Sequence, residues 1–491
     1  MFIAFDKKET LSGTQLYVDK DLTIAGASKI LSVDADARVS AVELLPKEAK
    51  VFFRVNFSVI FEDAEGKVSH IDTAQDYNTV LKDENISPLS KQNITLSVSN
   101  PEFAGSETAK IRATVSVGGF VFVPGEANCY PADNENIITR KQSLAVEKAS
   151  AIREAETLAT LDADIKSGVA EVLGYKTRAL IKSVTPGSEV VTATGECHTN
   201  IIFMSEGSIA NTLLSTPFTV DLLAEGASPA TVALLDAEAK STTITLVDGE
   251  NSKALRLEIS VGVKGFALNK TVCEAVTDGY SKTHDTSITH QDVCVSENSC
   301  NENLVAGFAG SAPIESSAKK IRNVLAVSGC CAYADPSLDA GTLSAEGIVA
   351  AEIIYLSIDN TVERILAEVP YQTIVSREFG CRDDLSIKAV PVSVRARPVG
   401  NDRVELAGEL SFAVKGIKRT MARVCENIEL GAPIADSDVA ISLYLASAGE
   451  SLWDIAKALR TDETNLLSQN DDITLPLKGG EKIVCWNPIN L

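Results

Sequence analysis

The sequence predicts a mainly β protein in which three tandem antiparallel β-sandwich-like repeats are followed by a small α+β module with the order strand, helix, helix, strand. Three observations support this prediction for a chain of 491 residues. Segments such as 51–61 alternate apolar and mostly polar residues with a period of two, which is typical of half-buried strands. A set of landmarks recurs three times along the chain. The strand pattern then breaks after residue 417, and short helical patterns follow.

The repeats are defined by landmarks at matched spacing. A strand that ends in an aromatic ring is followed 16, 15 and 16 residues later by a second ring, and each unit closes with a glycine-containing strand. The ring pairs are Phe61 and Tyr77, Phe203 and Phe218, and Tyr355 and Tyr371. The closing segments are residues 115–120, 261–266 and 412–417. We therefore expect repeats at 1–126, 127–267 and 268–417, each of ordinary domain size. Residues 143–165 are compatible with either a helix or a strand.

The end of the chain has a different pattern. Residues 418–440, with a Gly-Ala-Pro turn, are interpreted as a linker, and residues 441–488 as a separate module. Ser451 is a predicted helix N-cap, and Asp454 three positions later favours the positive end of the helix. Apolar residues then recur at helical spacing at Leu452, Ile455, Ala456 and Leu459. A second short helix at 464–470 and a glycine turn into a strand at 479–486 complete the module.

The module resembles LysM. The residues that carry the resemblance are a Gly-acidic-Ser turn, a Leu-Trp-x-Ile-Ala helix start, a Leu-Leu-x-x-Asn second helix and a glycine turn before Ile483. The chain departs from the family pattern at Ala448, where proline is commoner, and in "LKGGEK", which lacks the usual Pro-Gly turn. The resemblance implies a shallow groove for N-acetylglucosamine chains, with walls at 449–452 and 473–475. The expected groove residues are Gly449, Glu450, Ser451, Leu452, Trp453, Ile473, Thr474 and Leu475.

Repeats of this kind followed by LysM resemble the SPOCS-domain proteins of spore-forming Firmicutes, the SipL-like family of spore-coat morphogenesis factors. An Asp-Ala-Tyr-Ser type stretch is usual between the repeats of that family. It corresponds here to "TDGYSKTHD" at 277–285 and "NCYPADNEN" at 128–136. Repeat one lacks the proline before Tyr77, so its membership depends on spacing.

The resemblance implies a non-enzymatic scaffold in the mother-cell cytoplasm at the forespore surface. Such a scaffold would link the spore coat, including a coat-forming morphogenetic ATPase, to the forespore through protein–protein contacts. LysM would then bind protein rather than glycan. Two alternatives remain open: a self-assembling homo-oligomer or fibre at the spore or cell surface, and a protein that binds peptidoglycan.

Composition argues against several other classes. The net charge of −22 disfavours nucleic acid and anionic lipid as partners. An N-terminal apolar run too short for a signal peptide, and no apolar run of 18 residues, predict a cytoplasmic protein without a membrane span. The ten cysteines are scattered, so we expect reduced thiols.

Residue patterns for catalysis are also lacking. No phosphate-binding loop, HExxH or GxSxG motif occurs, and the chain has four histidines, so we expect no enzyme, catalytic residue or cofactor. The spacing of Cys273, His284, His290, Cys294 and Cys300 matches no zinc knuckle, so no metal site is predicted. Of the two tryptophans, Trp486 is expected in the module core, while Trp453 could serve either the core or an interface.

Overall fold

The protein is described by a computed structural model that covers residues 2–24, 26–104, 108–131, 135–248, 253–314, 318–376, 385–434 and 440–486. Within these ranges the chain is built almost entirely of antiparallel strands, with two short helices near its end. The predicted mainly β fold with antiparallel sheets is therefore confirmed.

The first eighteen strands form three consecutive groups of six. Group 1 comprises β1 (Phe2–Thr23), β2 (Ala27–Leu45), β3 (Glu48–Asp63), β4 (Val68–Lys82), β5 (Lys91–Ala104) and β6 (Thr108–Asn128). Group 2 comprises β7 (Ile138–Ala163), β8 (Glu171–Pro186), β9 (Val190–Ser205), β10 (Ser208–Leu223), β11 (Val232–Asp248) and β12 (Lys253–Tyr280). Group 3 comprises β13 (His284–Pro313), β14 (Ile321–Asp339), β15 (Thr342–Ser357), β16 (Val362–Ser376), β17 (Ser386–Val399) and β18 (Arg403–Pro433).

Every group has the same sheet topology. Its first, sixth and fifth strands form one three-stranded sheet with the sixth strand in the centre, and its second, third and fourth strands form another with the third in the centre. The edge strands of the two sheets also lie beside each other, the fifth next to the second and the first next to the fourth. The sheet edges of a group therefore face one another, and this reduces their availability for strand addition by a partner.

The core of each group lies between its two sheets. In β3 the apolar members of the alternating pattern, Val51, Phe53, Val55, Phe57 and Val59, are all buried against residues of β1, β5 and β6. Groups 2 and 3 have corresponding cores. The period-two pattern thus produces one apolar face per sheet, and pairing two such faces removes them from water.

The three groups meet around a common line, here named the group axis. Ile60, Ile202 and Ile354, each directly before the first landmark ring of its repeat, lie in one buried cluster. The closing landmark residues Phe120, Phe266 and Ile417 lie together in a second cluster. Because equivalent residues converge, the groups are related by approximate threefold symmetry.

Polar contacts join the groups in pairs near this axis. Lys176 of group 2 binds Asp34 of group 1 at 2.6 Å. The Glu352 carboxylate of group 3 accepts hydrogen bonds from Ser32 Oγ at 2.7 Å and from the Val33 amide at 3.1 Å in group 1. Burial raises the pKa of Glu352, although these hydrogen bonds and a nearby arginine act in the opposite direction.

Several strands are longer than the sequence indicated. The expected boundaries at 267 and 417 fall inside β12 and β18, and residues 418–433 of the expected linker belong to β18. Residues 143–163 are strand, within β7, so the helical alternative for that segment is wrong. The reason is a buried cluster of residues from the extended ends of the first and sixth strands of all three groups, which includes Ile3, Ala127, Val146, Ala275, Val293 and Val424. Burial of this shared cluster stabilises the extensions as paired strands.

Candidate functional site

The terminal module has the expected element order. It consists of β19 (Ile441–Leu445), α1 (Leu452–Leu459), α2 (Glu463–Gln469) and β20 (Lys482–Trp486), with β19 and β20 paired antiparallel so that Ile441 is opposite Trp486. Its core contains the predicted helical stripe of Leu452, Ile455 and Ala456, with Leu459 at its margin.

The turn before α1 is built by local hydrogen bonds. Gly449 has φ of +81°, a conformation that side chains disfavour. The Glu450 carboxylate accepts from Tyr444 Oη at 2.6 Å and from the Ser447 amide at 2.8 Å. Ser451 Oγ accepts from the Asp454 amide at the start of α1, and the Asp454 carboxylate accepts from the Ser451 amide, which completes a capping box. The Glu450 carboxylate therefore stabilises the turn itself through these two hydrogen bonds.

The two expected walls of the groove are brought together in the structure. Leu452, from the first wall, and Ile473, from the second, belong to the same apolar cluster. Thr474 is exposed, and 55% of the Leu475 surface is exposed to solvent. The tips of both walls, Gly449 and Leu475, therefore remain accessible to a partner molecule.

Trp453 has a role that sequence could not specify. It is 4% exposed, its Nε1 donates to Asp278 Oδ2 at 2.8 Å, and its ring makes an edge contact with Tyr280 at 5.0 Å between centroids. Trp453 is therefore an anchor within the chain rather than an exposed groove residue. Trp486, expected in the core, is 58% exposed.

Residues 278–285, here named the docking segment, hold the module against groups 2 and 3. Lys457 Nζ donates to both Asp278 oxygens at 2.7 and 2.9 Å. Tyr280 Oη donates to the Thr461 carbonyl at 2.5 Å. Two ion pairs extend the contact at its rim, Lys282 with Asp462 at 2.7 Å and Arg460 with Asp285 at 3.2 Å.

The electrostatics of this contact favour ionised Asp278. Burial acts to raise the pKa of Asp278, but hydrogen bonds from Lys457, Trp453 and the Gly279 amide outweigh it and lower that pKa overall. Burial raises the pKa of Tyr280, which keeps its hydroxyl protonated as the donor to Thr461. The contact is thus formed by an anion and a phenol in their neutral-pH states.

The docking contacts and the expected groove residues occupy different parts of the module. The docking segment contacts Trp453 and the residues from Lys457 to Asp462, on α1 and in the turn that follows it, whereas the groove tips lie in the preceding turn and at 474–475. The module is therefore held through α1 and the turn after it, and Gly449 and Leu475 remain exposed. The sequence singled out 277–285 as a recurring stretch, but no local pattern indicated what it contacts.

The outer face of the β19–β20 sheet is also apolar. Four large side chains with 51%, 66%, 64% and 58% of their surface exposed lie on it: Ile441, Leu443, Leu445 and Trp486. The sequence does not identify this face, because alternation in a five-residue strand does not show which face is covered.

Within the described ranges, no group of three or more histidine, cysteine, aspartate or glutamate side chains could hold a metal ion. The Cys300 side chain lies outside the described residues. Cys330 and Cys331 are free thiols and are not joined by a disulfide bond. None of the described helices is both long and apolar enough to cross a membrane.

Comparison of the chain with models of known protein families gave no match, and comparisons with curated proteins and with solved structures gave none either.

Proposed function

We propose that this chain is a non-enzymatic scaffold protein of the SPOCS-plus-LysM type, built from three copies of one β domain and a terminal LysM module. The matched landmarks and the common strand order of the three groups support the repeat assignment. The capped turn at 449–451 and the strand-helix-helix-strand order support the module assignment.

The observation that carries the proposal is the way the module is held. Asp278 and Tyr280 bind one side of it, while Gly449 and Leu475 remain exposed. A scaffold needs this arrangement, because a partner captured in the groove is then placed at a defined position relative to the repeats.

The partner in this proposal is a protein, a coat-forming morphogenetic ATPase at the forespore surface in the mother-cell cytoplasm. This cellular setting follows from the resemblance of the repeats and module to the SipL-like family. Peptidoglycan is the alternative ligand for the same groove, and a polymer of this chain is the alternative assembly.

A pair of matched variants tests the role of the groove. Leu475→Arg alters an exposed groove tip, and Leu467→Arg alters a side chain of the same type on α2 that is 40% exposed. We expect Leu475→Arg to reduce capture of the ATPase by about tenfold or more, as for loss of a binding hot spot. Leu467→Arg should bind like the unchanged chain.

The outcomes separate the alternatives. A fluorescent fusion that forms a ring around the forespore supports the scaffold. If the chain is retained on purified peptidoglycan, loses that retention in Leu475→Arg and captures no ATPase, the ligand of the groove is glycan rather than protein. Filaments of the purified chain in electron microscopy would favour the polymer.

A further inference from the structure

A cavity of about 340 Å³ lies where the three groups meet. The second and fifth strands of every group contribute to its wall. Three alanines line the cavity, one from the second strand of each group: Ala37, Ala179 and Ala332. Their positions are equivalent, because the residue opposite each alanine on the neighbouring third strand lies six positions before the first landmark ring of its repeat. Small side chains at all three positions leave space along the group axis, and the volume is within the range of small-molecule sites.

The carboxylates in the cavity wall all have cationic partners. Four acidic side chains line the cavity, and each has a basic nitrogen at 2.7 to 3.2 Å: Asp36 with Arg38, Glu154 and Glu238 with Lys240, and Asp236 with Lys415. Arg38, Lys240 and Lys415 therefore offset three of these four negative charges.

Several cations in the wall lack such a partner. Lys264, Lys388 and Arg178 line the cavity, and in the described part of the chain none of them has a carboxylate at ion-pair distance. Arg178 donates instead to the backbone carbonyl of Cys330. The wall thus carries positive charge in excess, in a chain whose net charge is −22.

The excess charge is concentrated near Asp236. Lys264 stands directly opposite Asp236 on the neighbouring strand. Burial acts to raise the pKa of Asp236, but the charges of Lys415 and Lys388 and a hydrogen bond from Asn93 lower it overall. The ammonium groups of Lys415 and Lys388 therefore both act on the Asp236 carboxylate, and Asn93, Asp236 and Lys415 come from groups 1, 2 and 3.

We propose that this cavity binds a small oxyanion with two or more negative charges, held by Lys264, Lys388 and Arg178. Ammonium and guanidinium groups form their strongest hydrogen bonds with such anions. A net negative chain otherwise repels anions, so binding would be confined to a region of local positive charge. Because all three groups line the cavity, a bound anion would also stabilise their association.

Calorimetric titration of the full chain at low ionic strength tests this site. Pyrophosphate and citrate serve as two probes, since one represents phosphate compounds and the other polycarboxylates. We expect at least one to bind with a dissociation constant below about 1 mM. The double variant with Lys264→Gln and Lys388→Gln should weaken that binding by about tenfold or more, because each change removes a charge-assisted hydrogen bond.

Lys67→Gln is the matched control, since Lys67 is exposed in the turn between β3 and β4, outside the cavity wall, and it should leave binding unchanged. If the double variant melts at a markedly lower temperature, the two single variants provide the same comparison. No binding of either probe at about 1 mM would overturn the proposal. Binding that is equally strong in the lysine variants would also overturn it, because the anion would then sit elsewhere.

Discussion

Replacing Asp278 by alanine should release the terminal module from the repeats. The Asp278 carboxylate accepts from Trp453 Nε1, from Lys457 Nζ and from the Gly279 amide at 2.7 to 2.9 Å. Lys457 has 38% of its side chain exposed, so solvent screening limits its ion pair to about 0.5–1 kcal/mol. Leaving the buried Trp453 Nε1 without an acceptor costs about 1–2 kcal/mol more.

These contributions amount to about 1.5–3 kcal/mol, which corresponds to a shift in the docking equilibrium of about 10- to 150-fold. The chain has two tryptophans, so Trp486→Phe leaves Trp453 as the only one. In that background, the wavelength of maximum tryptophan fluorescence and the quenching of that fluorescence by acrylamide both report on Trp453, and therefore on docking. We expect Asp278→Ala to shift the emission to longer wavelength and to increase the quenching.

Asp285→Ala is the control in the same segment. Its ion pair with Arg460 joins side chains that are 65% and 40% exposed, so its loss should change docking by no more than about 0.5 kcal/mol. Unchanged quenching of Trp453 in Asp278→Ala would refute the reasoning. An equal change in both variants would also refute it, because the effect would then not depend on the buried hydrogen bonds.

Three further predictions follow from burial and charge. Docking should be constant from about pH 8 to pH 5 and should be lost as the pH falls below about 4, which Trp453 emission as a function of pH measures. The reason is that the pKa of Asp278 is lower in the docked state than in a free aspartate, so ionised Asp278 stabilises docking above the free pKa, and this stabilisation disappears as Asp278 is protonated. Ile202→Ala, at the buried group axis, should lower the free energy of unfolding measured in urea by about 2–5 kcal/mol. Leu213→Ala is the control at a site that is 40% exposed, and it should change that free energy by no more than about 0.5 kcal/mol. Similar values for the two variants would contradict a tightly packed group axis. Burial raises the pKa of Cys330 to about 11, so its alkylation at neutral pH, followed by mass spectrometry, should be much slower in the folded chain than in urea; equal rates would show that the thiol is accessible and ionised.

Much of the local structure could be predicted from sequence because it depends on neighbouring residues. Alternation along Val51–Phe61 determines which side chains face a core, and the Gly449 turn and the Ser451 cap require only residues a few positions away. The three repeats could also be recognised, because each landmark is a short local pattern of residues that recurs at similar spacing. Boundaries were less accurate, because the extensions of β12 and β18 are stabilised by residues far away in the chain.

The mainly β character, the three sets of landmarks and the order of elements in the terminal module can be predicted from the amino-acid sequence. The tertiary structure is needed to see that equivalent residues such as Ile60, Ile202 and Ile354 meet at one axis. It alone showed that Trp453 binds Asp278 across 175 residues of sequence, and that the cavity wall carries excess positive charge. The physical reason is that periodicity records which side of a strand is buried, whereas partners across a core or an interface are set by the packing of whole sheets.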